Sequence, residues 1–580
     1  MYLRVSKLWS NKILKILLKN RVNEERTYFA ITLVVGILAA IVAVVLHKAT
    51  HYLVEFFGTN KPFDLRSVSL GGLAILLSGY ITTRLFPGTS GSGIPGVRVA
   101  LAVYHGKITI GQTVMKFITS LLTLSSGFSL GREGPTAAIS AGIGSYFGQI
   151  FHLSKKKVKA LVAIGAAGGI SAAFNTPIAA VVFTLEEIVG DLNAKILGNI
   201  IISSVVASIV AQLLLDDGPT FQTLVYTTQY PWELFLFVIV GVVTSTLGSA
   251  WMKSVLWTRK FNLKLFKGHR LTIISVTFLI VIGLSQLMPE VLGSGHRTIE
   301  TSILNLLNDW KFLLMLYCLK FIATSLCYGS GVSGGLFLPT LLMGATLGNF
   351  CGTIFNIVFP SYALNIGAFT LVGMGSYFVS VTRAPFTSII MIFEMTRDYN
   401  IILPLMLANI ISYYISGKLH KGSIYESISE QDGIHLPSKE DDEILESLIV
   451  EDAMVEPMTL KASLNVSQAL KLVDDTPYTG FPVVKNKLLV GMIAKADLRR
   501  AKAKNDEYAN ILEIAEKKII SIYPDQSLMV AFHKLNRFHV SRIPVVSRIN
   551  DRRMIGIITA EDIVSKFGYH IQESDNTLDS

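Results

Sequence analysis

Apolar residues dominate the first three quarters of the chain in long runs. Tyr28 to Leu46 carries no charge and is long enough to cross a hydrocarbon core of about 30 Å as one helix. The run is too long, and its flanks too far from the first residue, for a cleaved leader, so it predicts a true span. A polar loop at residues 58–68 leads into a second apolar segment, and further apolar runs recur to about residue 417. The pattern then changes: Glu430-Gln-Asp and Lys439-Glu-Asp-Asp-Glu443 mark a polar linker leaving the membrane. Beyond it, short β-rich runs alternate with helical stretches such as Ser467 to Val473, which predicts two small α/β units packed together. The last ten residues read as a disordered tail.

Composition sharpens this picture. With 580 residues, 51% hydrophobic and 16% charged, and a mean hydropathy of +0.50, the chain is not one soluble globule. It is a polytopic membrane protein with a soluble attachment. The net charge of +11 does not point to nucleic acid, because Arg4, Lys7, Lys12, Lys15, Lys19, Arg21 and Arg26 precede the first span against Glu24 and Glu25. Such a flank fixes topology and predicts a cytoplasmic amino terminus. Cys318, Cys327 and Cys351 lack CxxC spacing and read as reduced packing residues, with neither a disulfide framework nor a metal site. None of the 11 histidines forms a ligand-spaced cluster with acids or cysteines in the membrane region, which argues against an embedded metal-dependent enzyme.

Three glycine-rich stretches interrupt the apolar runs. Gly88-Thr-Ser-Gly-Ser-Gly-Ile-Pro-Gly96 is no comfortable helix interior, so it is either an extramembrane loop or a break lining a pathway. Gly131-Arg-Glu-Gly-Pro135 runs into a small-residue stretch and reads as a helix start, whose free N–H groups suit an anion. Glu133 is itself an anion there, or simply an acid that satisfies the helix dipole. Gly165-Ala-Ala-Gly168-Gly169 and Phe174-Asn-Thr-Pro177 precede an apolar run ending in Glu186-Glu187, which faces water or the protein interior rather than lipid.

An internal repeat weighs against the plainer readings. A shift of 204 places Gly131, Pro135, Thr136, Gly144 and Gly148 on Gly335, Pro339, Thr340, Gly348 and Gly352. A shift of 208 places Gly165, Pro177 and Glu186 on Gly373, Pro385 and Glu394, and Gly91 to Gly96 resembles Gly329 to Gly334. Paired glycine- and proline-broken segments in two halves point to a transport site at the repeat interface. The soluble part is duplicated too: Phe481-Pro-Val-Val484 pairs with Ile543-Pro-Val-Val546, and Leu489 to Asp497 with Met554 to Asp562.

Taken together, GSGIP at 91–95, GREGP at 131–135 and GLFLP at 335–339 resemble the CLC family of chloride channels and chloride/proton exchangers, over roughly residues 28–426. The duplicated soluble part resembles a tandem CBS-domain pair. The resemblance implies an all-α polytopic membrane domain with an inverted-topology repeat and broken helices, plus a C-terminal α/β CBS pair. The expected division is a basic cytoplasmic segment 1–27, a transport domain 28–426 (repeats about 28–210 and 232–426), an acidic linker 427–447, CBS repeats 448–500 and 511–568, and a tail 571–580.

The resemblance also implies a homodimer with one anion pathway per subunit, in a bacterial plasma membrane with both termini cytoplasmic. Ser92 and Tyr425 would hold a central chloride through their hydroxyls, with the backbone N–H groups of Leu336 and Phe337. The backbone at Arg132 and Gly134 would form an outer anion site, Glu133 would be the gating glutamate, and Glu187 the inner proton acceptor. Glu186 reads as structural, because its repeat partner Glu394 also ends an apolar run. Gly96 replaces an acid common in relatives, which bears on the outer vestibule's electrostatics. Thr559 and Asp562 fit a hydroxyl and an acid that contact adenine nucleotide; the first repeat keeps Asp497 but has Ala494 at the hydroxyl position. A purely structural, dimerising role for this pair is the alternative. Electrogenic chloride/proton exchange is the expected activity, without a required cofactor; a passive chloride channel on the same scaffold is the alternative. A nucleotide sensor with a mere membrane anchor is a further one.

Overall fold

Glycine and proline punctuation decides where the helices begin and end. In the computed structural model, residues 2–191, 196–215, 221, 230–265, 269–307, 309–434, 444–486 and 488–576 are described. The chain divides into two units, Met1–Leu436 and Pro437–Ser580. In the first unit, one half comprises α1 (Tyr2–Phe57), α2 (Leu65–Tyr80), α3 (Ile94–Ala102), α4 (Ile110–Ser125), α5 (Glu133–Ile150), α6 (Lys155–Phe174), α7 (Pro177–Phe183) and α8 (Leu197–Leu214). The other comprises α9 (Glu233–Leu265), α10 (Arg270–Leu287), α11 (His296–Ile303), α12 (Trp310–Gly329), α13 (Phe337–Val358), α14 (Ile366–Thr382), α15 (Pro385–Thr396), α16 (Ile402–Leu419) and α17 (Ile424–Gln431).

Among the described residues, nine helices are long and apolar enough to cross a bilayer. By contrast α3, α7, α11 and α15 are too short for about 30 Å at 1.5 Å per residue, which is the broken-helix architecture. The first span is longer than the uncharged run: the membrane-length stretch is Glu25–Phe57, within a helix that continues back through the basic segment. The polar loop is shorter than expected, because Asp64 Oδ1 accepts from Ser67 N–H at 2.8 Å and so starts α2 at Leu65.

The two halves are built alike where small residues let helices touch. A Cβ on Gly144 would run into the Leu161 carbonyl, and one on Gly348 into the Phe369 carbonyl. These are the α5–α6 and α13–α14 contacts, and close approach through glycine replaces the hydrophobic drive that lipid does not supply. One sequence correspondence is corrected. The counterpart of the Gly91 to Gly93 turn is Gly293-Ser-Gly295, not Gly329 to Gly334. Lys116 Nζ donates to Thr89 O and Gly91 O at 2.9 and 2.7 Å, and Lys320 Nζ, 204 residues on, donates to Val291 O and Gly293 O at 2.8 and 2.7 Å. Gly93 (φ 90°) and Gly295 (φ 83°) then start α3 and α11 in the left-handed region that only glycine enters freely.

In the second unit β1 (Leu460–Lys461) runs parallel to β2 (Gly480–Lys485), which is antiparallel to β3 (Leu488–Ala494). The second sheet pairs β4 (Arg542–Val546) with β5 (Met554–Thr559), and both hairpins carry the same irregularity, after Val483 and after Val545. Each repeat lends an extended segment to the other: Val455 pairs with Ile557, and Glu516 with Met492. The helix Ala560–Asn576 reaches into the expected tail, whereas 577–580 and the middle of the expected linker, residues 435–443, lie outside the described residues.

Candidate functional site

Backbone hydrogen bonds tie the three glycine motifs together. Gly131 N–H donates to Gly335 O at 2.7 Å, and Gly335 N–H returns the bond to Gly131 O at 2.6 Å. Gly91 N–H donates to Val332 O and Gly334 N–H to Gly91 O, both at 3.0 Å. A reciprocal, antiparallel bridge between repeat-equivalent residues is what two oppositely oriented copies produce where they meet. Around it lie the starts of α3, α5 and α13. A Cβ on Gly134 would stand 2.7 Å from Ser92 O, so only glycine lets the α3 turn and the α5 start pack this closely.

Glu133 is the first residue of α5 and is 1% exposed. The backbone N–H groups of Arg132, Glu133 and Leu338 face its carboxylate, yet Oε2 closes no hydrogen bond. The acid therefore lies among amides from two helix starts, α5 and α13, where positive dipole character favours any anion. Arg132 reaches Glu133 Oε1 at 3.9 Å and its guanidinium meets His47 Nδ1. Equivalent by the 204-residue shift to Glu133 is Phe337, which packs on Phe174, Phe183 and Phe378 with ring centroids 4.7, 5.5 and 4.7 Å away.

Ser92 is wholly buried, and its Oγ accepts weakly from Ile94 N–H at 3.3 Å. It lines a cavity of about 460 Å³ with Lys107, Lys116, Arg259, Arg270 and Tyr328. Gly96 also lines this cavity. Its α3 neighbour Arg98 pairs with Glu187. Tyr425, 1% exposed, stands edge-on to Phe183 at 6.5 Å and interacts electrostatically with Glu133, Tyr328 and Glu187. The structure thus brings Ser92, Glu133, Leu336, Phe337 and Tyr425 to one region, joined through Gly131, Gly134, Gly335 and Phe183.

The two acids after α7 part company. A wider π turn at Thr184–Val189 aims them differently, a feature that recurs at functional sites. Glu186 Oε2 accepts from Thr387 N–H at 2.9 Å and from its hydroxyl at 2.7 Å, at the start of α15. Glu394 on α15 accepts from Ile178 and Ala179 N–H at 3.0 and 2.7 Å, at the start of α7. Glu187 instead turns inward, buried, to Arg98 and Ser423. Sequence reasoning missed Arg98, Lys116 and Lys320. The lysines were detectable, since both sit at the motif spacing of 204.

In the second unit Thr559 Oγ1 donates to Asp562 Oδ2 at 2.7 Å, and Asp562 N–H donates to Thr559 Oγ1 at 3.2 Å, closing the start of the helix Ala560–Asn576. Asp497 lies in the matching turn, 3.4 Å from Arg500, where Ala494 offers no hydroxyl. One repeat therefore keeps a hydroxyl and an acid at a helix start, and the other keeps the acid alone.

Residues 71–417 match the family described as voltage gated chloride channel, and residues 450–504 and 511–569 each match the CBS domain. A protein of Vibrio campbellii named H(+)/Cl(-) exchange transporter ClcA is 30% identical over 409 residues, covering 68% of this chain and 87% of that protein. A Vibrio cholerae protein of the same name is 29% identical over 72% of this chain and 92% of its own length. Two solved structures share the fold. A eukaryotic CLC transporter aligns over 92% of this chain and 98% of its own, at 20% identity and a TM-score of 0.66. A slow cyanobacterial Cl-/H+ antiporter aligns over 70% and 98%, at 24% identity and 0.64.

Proposed function

Because the chain belongs to the voltage-gated chloride channel family, we propose that it exchanges chloride for protons across a membrane, with Glu133 as the group that serves both ions. The observation that carries this reading is the position of Glu133: a buried carboxylate, one oxygen unbonded, among the amides of two helix starts. As an anion it competes with chloride for those amides. Protonated, it loses that attraction and yields the place to chloride.

Ser92 and Tyr425 hold a central chloride by their hydroxyls, with the N–H groups of Leu336 and Phe337, and the backbone at Arg132 and Gly134 forms the outer position. Neutral donors suit a transported ion, since they bind it without trapping it against a full counter-charge. Glu187, buried at the far end of the Tyr425 region, takes the proton from the inner side. Glu186 and Glu394 cap helices and take no part in transfer.

The functional unit is a homodimer spanning a bacterial plasma membrane, with both termini cytoplasmic. In the soluble unit Thr559 and Asp562 fit the phosphate and ribose of an adenine nucleotide, and Asp497 supplies an acid without its hydroxyl partner, so binding is weighted to the second repeat. Transport itself needs no cofactor.

The deciding experiment uses proteoliposomes under opposed chloride and proton gradients. Exchange predicts that an outward chloride gradient drives protons inward, with a reversal potential away from the chloride equilibrium value. A wild-type flux that moves no protons would leave a passive chloride pathway.

A further inference from the structure

Arg98 is a cation that the chloride reading does not use. It stands on α3, within two helical turns of Ser92, with 15% of its side chain exposed. Its Nη1 lies 2.5 Å from Glu187 Oε1 and 3.3 Å from Ser423 Oγ, and Ser423 Oγ donates to the same Glu187 oxygen at 2.6 Å. The three groups close a triangle around one carboxylate oxygen. Ser423 is also the residue before α17, where its Oγ accepts from Glu426 N–H at 3.3 Å, and α17 carries Tyr425. A single carboxylate is thus held by Arg98 of the helix that follows Ser92 and by Ser423 at the start of the helix that presents Tyr425.

The charged and titratable groups facing Glu187 are Arg98 on α3, Glu426 and Tyr425 on α17, and Glu186 on its own turn. Arg98 is the cation among them. A guanidinium in hydrogen-bond contact stabilises a carboxylate strongly in a buried setting, and a proton arriving there removes its counter-charge. When Glu187 is neutral, Arg98 and Ser423 lose the acceptor that ties them together.

We propose that Arg98 is a positioning residue for proton transfer, which fixes Glu187 against the Ser92 and Tyr425 helices and sets the proton concentration at which Glu187 is occupied. The inference rests on the role proposed for Glu187. Occupancy of that acid is then felt by both helices that hold the anion.

The test titrates the full-length protein by infrared spectroscopy, with the Glu187 carboxyl band identified by subtraction of E187Q. In R98M the protonated band appears at about tenfold lower proton concentration than in the wild type, since an opposite charge this close is typically worth a shift of that size or more. R98K keeps the charge but not the planar fork and falls between the two. Thermal unfolding shows that each variant is folded. A band that titrates in folded R98M as in the wild type overturns the proposal, and if R98M does not fold, an R98K band indistinguishable from the wild type overturns it. A wild-type protein that moves no protons sinks the exchange reading but leaves this titration fully readable.

Discussion

Glu186 and Glu394 each cap the helix that carries or precedes the other. Glu394, on α15, accepts from the first amides of α7, and Glu186, in the turn that ends α7, accepts from the first amides of α15. The shift between the donors, from Ala179 to Thr387, equals the shift between the acids. This reciprocity separates Glu186 from its neighbour Glu187.

Removing either cap leaves amide donors without an acceptor in an apolar setting. Glu186→Ala and Glu394→Ala should each cost about 1–3 kcal/mol of stability, and by similar amounts. Thermal unfolding in detergent measures it, and a loss confined to one of the two would contradict the symmetric arrangement. Anion selectivity should not change.

Glu133→Ala removes the tethered anion and leaves its amides. Chloride flux should persist and proton movement should fall to background, read as pH change against chloride efflux in proteoliposomes. Glu187→Gln should likewise abolish proton movement while flux continues, because it acts at the other end of the proton route. A variant that lost chloride flux first would place these acids in the anion pathway alone.

Lys116 is buried and its Nζ donates to the Thr89 and Gly91 carbonyls of the turn that leads into Ser92. Lys116→Met takes the donor from Thr89 O, leaves Gly91 O with Gly334 N–H alone, and removes a basic group from the cavity that Ser92 lines. Chloride affinity should fall by about tenfold or more, since hydrogen bonds to charged groups are worth about 1.5–3 kcal/mol. Calorimetric titration with chloride reads the change. Lys320→Met disturbs the matching turn before α11 and should weaken folding without a comparable loss at the Ser92 position.

The soluble unit carries an acid-sensitive surface. Hydrogen bonds from Arg499 hold the Asp474 carboxyl below the usual range, and those from Arg548 do the same for Asp525. Acids lowered on folding stabilise the fold above their unfolded values and lose that contribution as pH falls through the folded ones. Protection from hydrogen exchange in this unit, corrected for the intrinsic pH dependence of amide exchange, should therefore fall as pH drops below about 4. Both pairs are exposed, so the effect should be small and should shrink at high salt. Asp474→Asn and Asp525→Asn should flatten the dependence.

Adenine nucleotide should raise the unfolding temperature of the wild type, and Thr559→Ala or Asp562→Asn should remove that rise. Asp497→Asn should reduce it less. No rise with the wild type would leave the CBS pair a packing element.

Much of this was legible because glycine and proline are unambiguous in an apolar background. GREGP and GLFLP mark helix starts whatever surrounds them, and their common spacing exposes the duplication. Partnership was less legible. Gly91 to Gly96 resembles Gly329 to Gly334 in composition, whereas its counterpart in the fold, Gly293 to Gly295, shares only the three-residue turn and the lysine bound behind it. Arg98 carried no signal at all, because a lone arginine on a short helix announces a partner only when the π turn after α7 has swung Glu187 toward it. The duplicated FPVV and IPVV runs did announce paired strands, but not that each repeat pairs with a segment of the other.

The bond pair between Gly131 and Gly335 sets what a single chain can do that two identical half-chains cannot. A residue that exchanges two identical hydrogen bonds across a two-fold axis asks only to meet its own copy, so an assembly of two separate half-chains could make the same contact. Such an assembly would carry the same side chain on both sides of the axis. Glu133 and Phe337 stand two residues beyond that contact and differ. With both halves in one chain, one copy can carry an ionisable group at its helix start while the other carries none.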